Sequence, residues 1–232
     1  MALPKLETPT YETVIPSTGR AIEYRPFLVK EEKILMIAQE SNDPAQSLSA
    51  LKKIIKSCTF DKVDPNELTT YDAEFLFLQL RIKSVGESVE FAINDEDTQE
   101  EIKLKVNLTD VEIHEPEVKP QRDIKLNDSI GITLKEVTLK DAVGMTNIDM
   151  KDITSLVGIC IDTIYDEDKV YNAKDVSKQE LTSFVESMNH EQLNYIQEFI
   201  TNQPTIKLDV PYRLQSGEQK LLKLRGLQDF FV

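Results

Sequence analysis

The sequence predicts an α+β fold, with helical bundle segments and several antiparallel β-hairpins dividing into two lobes. The apolar residues change period along the chain, from about 3.6 in some stretches to two in others. Capping residues stand at several helix starts, and paired alternating runs flank polar turns. With 40% apolar and 29% charged residues in 232, the chain has the composition of a folded protein and enough length for one core or two small ones.

Residues 10–15 and 20–24 flank Pro16-Ser17-Thr18-Gly19, whose proline and glycine suit a chain reversal, and predict a first hairpin. Ile34, Leu35, Ile37 and Ala38 recur at helical spacing and predict a helix over 30–41. Asp43 as a cap and Pro44 in the first turn start a second helix, with Leu48, Leu51, Ile54 and Ile55 as its apolar stripe. Asp64-Pro65-Asn66-Glu67 restarts the chain. A third helix follows over 71–84, where Phe75, Leu76, Phe77, Leu78 and Leu80 place apolar side chains on more than one face and imply deep burial. The period then becomes two. Val89, Phe91 and Ile93, then Ile102, Leu104, Val106 and Leu108, alternate across the acidic turn 94–101 and predict a second hairpin.

His114-Glu115-Pro116-Glu117-Val118-Lys119-Pro120 reads as a linker, because two prolines in a charged stretch resist both helix and ladder. The expected division is an N-terminal lobe over 1–113, a linker over 114–123 and a C-terminal lobe over 124–232. In the latter, 124–126 and 130–134 read as short strands and 151–165 as a largely apolar helix. Ser177-Lys178-Gln179-Glu180 has capping-box form and opens a helix over 178–188, and Asn189 with Gln192 opens another over 190–201. Pro204 stops it, 205–214 and 219–224 pair about Gln215-Ser216-Gly217-Glu218, and 226–231 form a terminal turn. Helix, hairpin and short tail thus succeed one another in both halves, although the sequence match is too thin to establish a duplication.

The formal net charge of -14 repels phosphate backbones and anionic lipid, so neither nucleic acid nor membrane is an expected partner. No apolar run approaches the roughly 20 residues a membrane helix needs, and the first residues lack a secretory pattern, so a cytosolic chain is expected. Cys58 and Cys160 sit in apolar helical patterns and are expected to be buried free thiols. His114 and His190 fall in the linker and in a helical first turn, positions that favour exposed or capping imidazoles over a catalytic base. No nucleophile elbow, zinc-protease, phosphate-loop or dinucleotide motif occurs. Asp95, Glu96, Asp97, Glu100 and Glu101 lack the central glycine of a calcium loop and read as a solvated hairpin tip, as do Asp166, Glu167 and Asp168. No enzyme, catalytic residue, cofactor or metal is therefore expected. The candidate interface residues are Arg25, Phe27, Phe230 and Phe231. Arg25, within Tyr24-Arg25-Pro26-Phe27-Leu28-Val29, either pairs an internal carboxylate or anchors an interface. Phe230 and Phe231 either fold back onto the core or dock on a partner.

Tyr11 with Pro16-Ser17-Thr18-Gly19, Tyr24-Arg25-Pro26-Phe27-Leu28-Val29-Lys30-Glu31-Glu32 and Ile55-Lys56-Ser57-Cys58-Thr59-Phe60 form one recognisable set. Phe77-Leu78-Gln79-Leu80-Arg81-Ile82-Lys83-Ser84-Val85-Gly86-Glu87, Phe199-Ile200 before Pro204, and Gly226-Leu227-Gln228-Asp229-Phe230-Phe231 complete it. With these the chain resembles, over nearly its whole length, the baseplate hub proteins of T-even-type myoviruses. The resemblance implies a noncatalytic structural component of a contractile-tail baseplate hub. Such a component binds other baseplate, hub and tail proteins, is made in host cytoplasm and is carried in the virion. It equally allows a transient hub assembly chaperone absent from the virion. A tail-associated hydrolase using acids such as Asp72 and Glu74 is a remote third reading. The resemblance also suggests zinc knuckles at the two hairpin tips of relatives, made by cysteine pairs. Here the tips read Asn94-Asp95-Glu96-Asp97-Thr98-Gln99 and Gln215-Ser216-Gly217-Glu218, without a thiolate or imidazole. A zinc-less version is expected, its turns held by backbone pairing alone.

Overall fold

A computed structural model describes residues 6–95, 97–117, 119–146 and 152–226. In chain order the first elements are strands β1 (Tyr11–Val14) and β2 (Ala21–Tyr24), helices α1 (Val29–Ser41), α2 (Pro44–Cys58) and α3 (Thr70–Val85), and strands β3 (Ser88–Asn94), β4 (Glu101–Asn107) and β5 (Glu112–His114). Then come β6 (Asp123–Lys125), β7 (Gly131–Leu134), α4 (Leu139–Met145), α5 (Ile153–Cys160), β8 (Ile161–Tyr165), β9 (Val170–Asn172), α6 (Lys178–Glu186) and α7 (His190–Thr201). Strands β10 (Thr205–Arg213) and β11 (Gln219–Arg225) follow. Helices mixed with small antiparallel sheets make this the α+β fold the sequence predicts.

The described residues form two compact units, one drawn from Met1–His114 and Thr205–Val232, the other from Glu115–Pro204. This differs from the expected division at 114–123, because the final hairpin groups with the N-terminal elements. The cause is a strand the linker reading hid. Glu112, Ile113 and His114 pair with Lys207, Ile206 and Thr205, so β5 extends the β10–β11 hairpin into a three-stranded sheet. His114 is therefore in a ladder and not in a linker. The chain leaves the first unit at His114 and returns at Thr205, its register partner.

In the first unit, Asp43 accepts the Ala45 N–H at 2.9 Å and caps α2, while Thr69 caps α3 through the Asp72 N–H at 3.2 Å. Helix α3 buries Tyr71, Ala73, Leu76, Phe77, Leu78, Leu80 and Ile82, as its all-round apolar pattern demands. Leu78 and Ile82 pack with Leu108, Ile206 and Leu224, and Phe91, Val89, Leu208 and Leu222 close the same core from the inward faces of both hairpins. Helix α1 is the exception to its predicted stripe: it buries Glu31 and Ala38 and leaves Met36 and Ile37 more than half exposed.

The second unit is a four-stranded antiparallel sheet, β6-β7-β8-β9, with helix α5 packed on both α6 and α7. Its core joins Ile124, Ile132, Leu134 and Ile161 from the strands to Val157, Val185, Ile196 and Phe199 from the helices. The apolar stretch 151–165 is not one helix. It is helical only to Cys160, and Ile161-Asp162-Thr163-Ile164-Tyr165 pairs with β7 as a strand. A short apolar run has no period of its own to separate the two states, and the β-branched residues follow the available partner. Strand β9 and helix α4, the latter capped by Thr138 and Asp141, are further elements the pattern did not predict.

Candidate functional site

Among the described residues the first unit buries three carboxylates, Glu31, Asp72 and Asp95. Beside Glu31, Arg25 follows β2 and is only 8% exposed. Its Nη2 donates to Glu31 Oε1 and to Ser57 Oγ, each at 2.9 Å, and its Nη1 to the Pro26 carbonyl at 2.9 Å. Ser57 in turn donates to Glu31 Oε1 at 2.8 Å, and the Leu28 N–H to Glu31 Oε2 at 2.9 Å. Burial pushes the Glu31 carboxyl up, but these bonds from Arg25, Leu28 and Ser57 outweigh it and hold it at about 2. Of the two roles open to Arg25, the internal ion pair is the one formed. Beside it, burial pushes the Cys58 thiol up to about 11 against the pull of Arg25, so it stays protonated and unreactive.

Asp95 is 2% exposed, although it stands at a hairpin tip. Lys220 Nζ lies 2.9 Å from both of its oxygens, the Tyr212 hydroxyl donates at 2.8 Å, and the Thr98 N–H and hydroxyl each donate at 3.0 Å. Lys220 also reaches Asp97 at 2.6 Å. The Gln215 N–H donates to the Glu100 carboxylate at 3.1 and 3.2 Å. The hydrogen bond from Lys220 is the main cause holding the Asp95 carboxyl below its ordinary range, and the reciprocal bond raises the Lys220 ammonium. Two expectations are corrected here. Asp95 is a buried acceptor rather than part of a solvated tip, and the two turns are clasped to each other by side chains instead of resting on backbone pairing alone. Lys220 was invisible as a partner because only the packed hairpins bring positions 125 residues apart together.

Phe27 is half-buried, stacks on Phe77 with ring centroids 6.5 Å apart, and donates its N–H to Ser84 Oγ at 2.9 Å. Its neighbours Leu28 and Val29, with Met36 and Ile37, leave apolar surface exposed at α1. Phe230 and Phe231 lie outside the described residues. Asp72, a hydrolase candidate, is consumed structurally: it accepts from the Ser17 N–H at 2.9 Å and the Ser17 hydroxyl at 2.5 Å, pinning the β1–β2 turn to the start of α3. Among the described residues no group of His, Cys, Asp and Glu is placed to hold a metal ion.

The second unit has an open groove of about 470 Å³ between its sheet and α6. Ile164, Val176 and Phe184 line it together with Tyr165, Tyr171, Asp166, Asp175 and Glu180.

The family model described as T4 bacteriophage base plate protein matches residues 8–232. The chain belongs to this family. The chain is also similar to the baseplate hub assembly protein gp26 of enterobacteria phage T4, being 25% identical over 219 residues covering 92% of this chain and 93% of that protein. No solved structure shows a significant match. The match runs through both units, so this base plate protein shares the span of its relative and not a single module of it. Its role lies in the phage baseplate.

Proposed function

We propose that this base plate protein acts without catalysis, by binding other baseplate and tail proteins as the hub is built. The observation that carries this reading is the near full-length match to a hub assembly protein. The use of the ionic groups supports it: buried Arg25, Glu31, Asp72 and Asp95 and half-buried Lys220 are engaged in holding elements together. Co-purification of the tagged chain with baseplate intermediates from infected cells tests the association. A chain that sediments alone throughout infection overturns it.

Permanence is decided separately. The T4 relative is named as a hub assembly protein, which supports action during assembly, either as a retained hub subunit or as a transient assembly factor. Retention as a hub subunit predicts the chain in purified infectious particles at a ratio comparable to other hub proteins, measured by mass spectrometry. Its absence from particles, together with loss of baseplates when the gene is disrupted, assigns the transient role. Peptidoglycan turnover by the purified protein that a single carboxylate substitution abolishes would replace both with a hydrolase.

A further inference from the structure

Helix α1 carries apolar side chains on two opposite faces, and only one of the faces is covered. At about 100° per residue, Glu31, Ile34, Leu35 and Ala38 share the face that packs inward, and all four are buried or half-buried. Val29, Lys33, Met36, Ile37 and Glu40 share the other, and all five are exposed, Val29, Met36 and Ile37 by 66%, 54% and 64%. A solvated helix face is ordinarily polar, so three large apolar side chains in line leave this one without a cover. Its two charges are unused as well. Among the described residues neither Lys33 nor Glu40 forms an ion pair. The helix itself offers no opposite charge one turn away, where a pair would form: Lys33 has Val29, Lys30, Met36 and Ile37 there, and Glu40 has Met36 and Ile37. Lys33 and Glu40 stand about 10 Å apart along the axis, too far to pair with each other.

This face is its own complement. Laid antiparallel against a second α1, with the two-fold axis between Met36 and Ile37, it brings Lys33 of each copy opposite Glu40 of the other and Met36 opposite Ile37, so that every contact occurs twice. Two ion pairs then close the ends of a core of methionine and isoleucine. A basic or an acidic partner would satisfy one charge and repel the other, and a purely apolar one would strip water from both without pairing them. The face is also neutral in a chain whose net charge is -14, so two copies can meet there with little local repulsion. We infer that α1 pairs with α1 of a second copy of this chain, in an antiparallel, two-fold symmetric helix contact. The inference goes beyond the association with other tail proteins and does not depend on it.

Sedimentation velocity of the full purified chain should show monomers passing to dimers as concentration rises, with a dissociation constant of about 1–100 μM for a contact of this size. Lys33→Glu and Glu40→Lys should each weaken the dimer about ten-fold or more, by setting like charges opposite one another. Two further results separate this register from any other cause. The double variant Lys33→Glu/Glu40→Lys exchanges the charges and keeps the complement, so it should dimerise like the unsubstituted chain. Mixing the two single variants should restore the dimers that each forms poorly alone. Both side chains are exposed and unpaired, so the variants should fold, which circular dichroism checks. Monomers at every concentration, a dimer indifferent to both single substitutions, or failure of the folded double variant or of the mixture to restore dimers would each overturn the pairing. Monomers whose α1 amide signals move only when another tail protein is added would overturn it too, by giving the face to that protein.

Discussion

Lys220 on β11 holds Asp95 and Asp97 at 2.9 and 2.6 Å, and so closes the tip of the β3–β4 hairpin against the β10–β11 hairpin. Each hairpin is a short ribbon of the kind that is marginal alone, and their shared core is joined from the tip side by this clasp. Replacing Lys220 with Met should leave Asp95 a buried, uncompensated charge, lower the melting temperature, and speed hydrogen exchange at the Thr98 and Gln215 amides before the α3 core. Unaltered exchange at those two amides would show that the clasp carries no tension between the hairpins.

The Arg25–Glu31 pair is expected to be strongly non-additive. Glu31→Leu should cost about 3 kcal/mol by stranding the Arg25 guanidinium, Arg25→Met less because Lys30 stays 3.3 Å from Glu31, and the double variant less than the sum. Denaturant titration of the four proteins measures this, and additive costs would mean the two side chains do not depend on each other.

The same pair sets an acid limit. Glu31 is held at about 2 in the folded chain, below the roughly 4.3 of an unfolded glutamate. Its contribution is therefore complete above the unfolded value and drains away as pH falls from there toward about 2. Stability measured across that window should fall less steeply in Glu31→Gln than in the unsubstituted chain.

Gly131 faces Tyr165 across the β7–β8 ladder, and a Cβ at that position would collide with the tyrosine ring. Gly131→Ala should destabilise the second unit by about 1–3 kcal/mol. Adding Tyr165→Leu should recover part of the loss, despite breaking the 2.5 Å bond from the Tyr165 hydroxyl to Asp123.

Because His114 and Thr205 are register partners, replacing residues 115–204 by Asn-Gly should turn β5 and β10 into a direct hairpin. The shortened protein should still unfold cooperatively and keep the signals of the Leu78 and Leu224 core. Loss of cooperative unfolding would mean that the first unit needs the second.

Much of this architecture was legible along the chain. Asp43 with Pro44 and Ser177 with Glu180 start helices, and alternation from Val89 to Leu108 pairs two strands, because caps, turns and hydrophobic period act over a few residues. The quoted Tyr24 to Glu32 and Phe77 to Glu87 stretches likewise carried the family resemblance that the family match bears out. Interaction surfaces were less legible: Arg25 looked equally suited to a core or an interface, since an isolated guanidinium beside apolar residues fits both until its carboxylate is placed.

What the sequence by itself determined about this protein is therefore its local elements, its negative charge and its kinship. Only the tertiary structure decided that β5 crosses back to β10, that residues 161–165 are a strand, and that Asp95 is buried under Lys220. Each of these depends on a partner far away in sequence, whose pairing energy exceeds the weak local preference of a three- or five-residue segment.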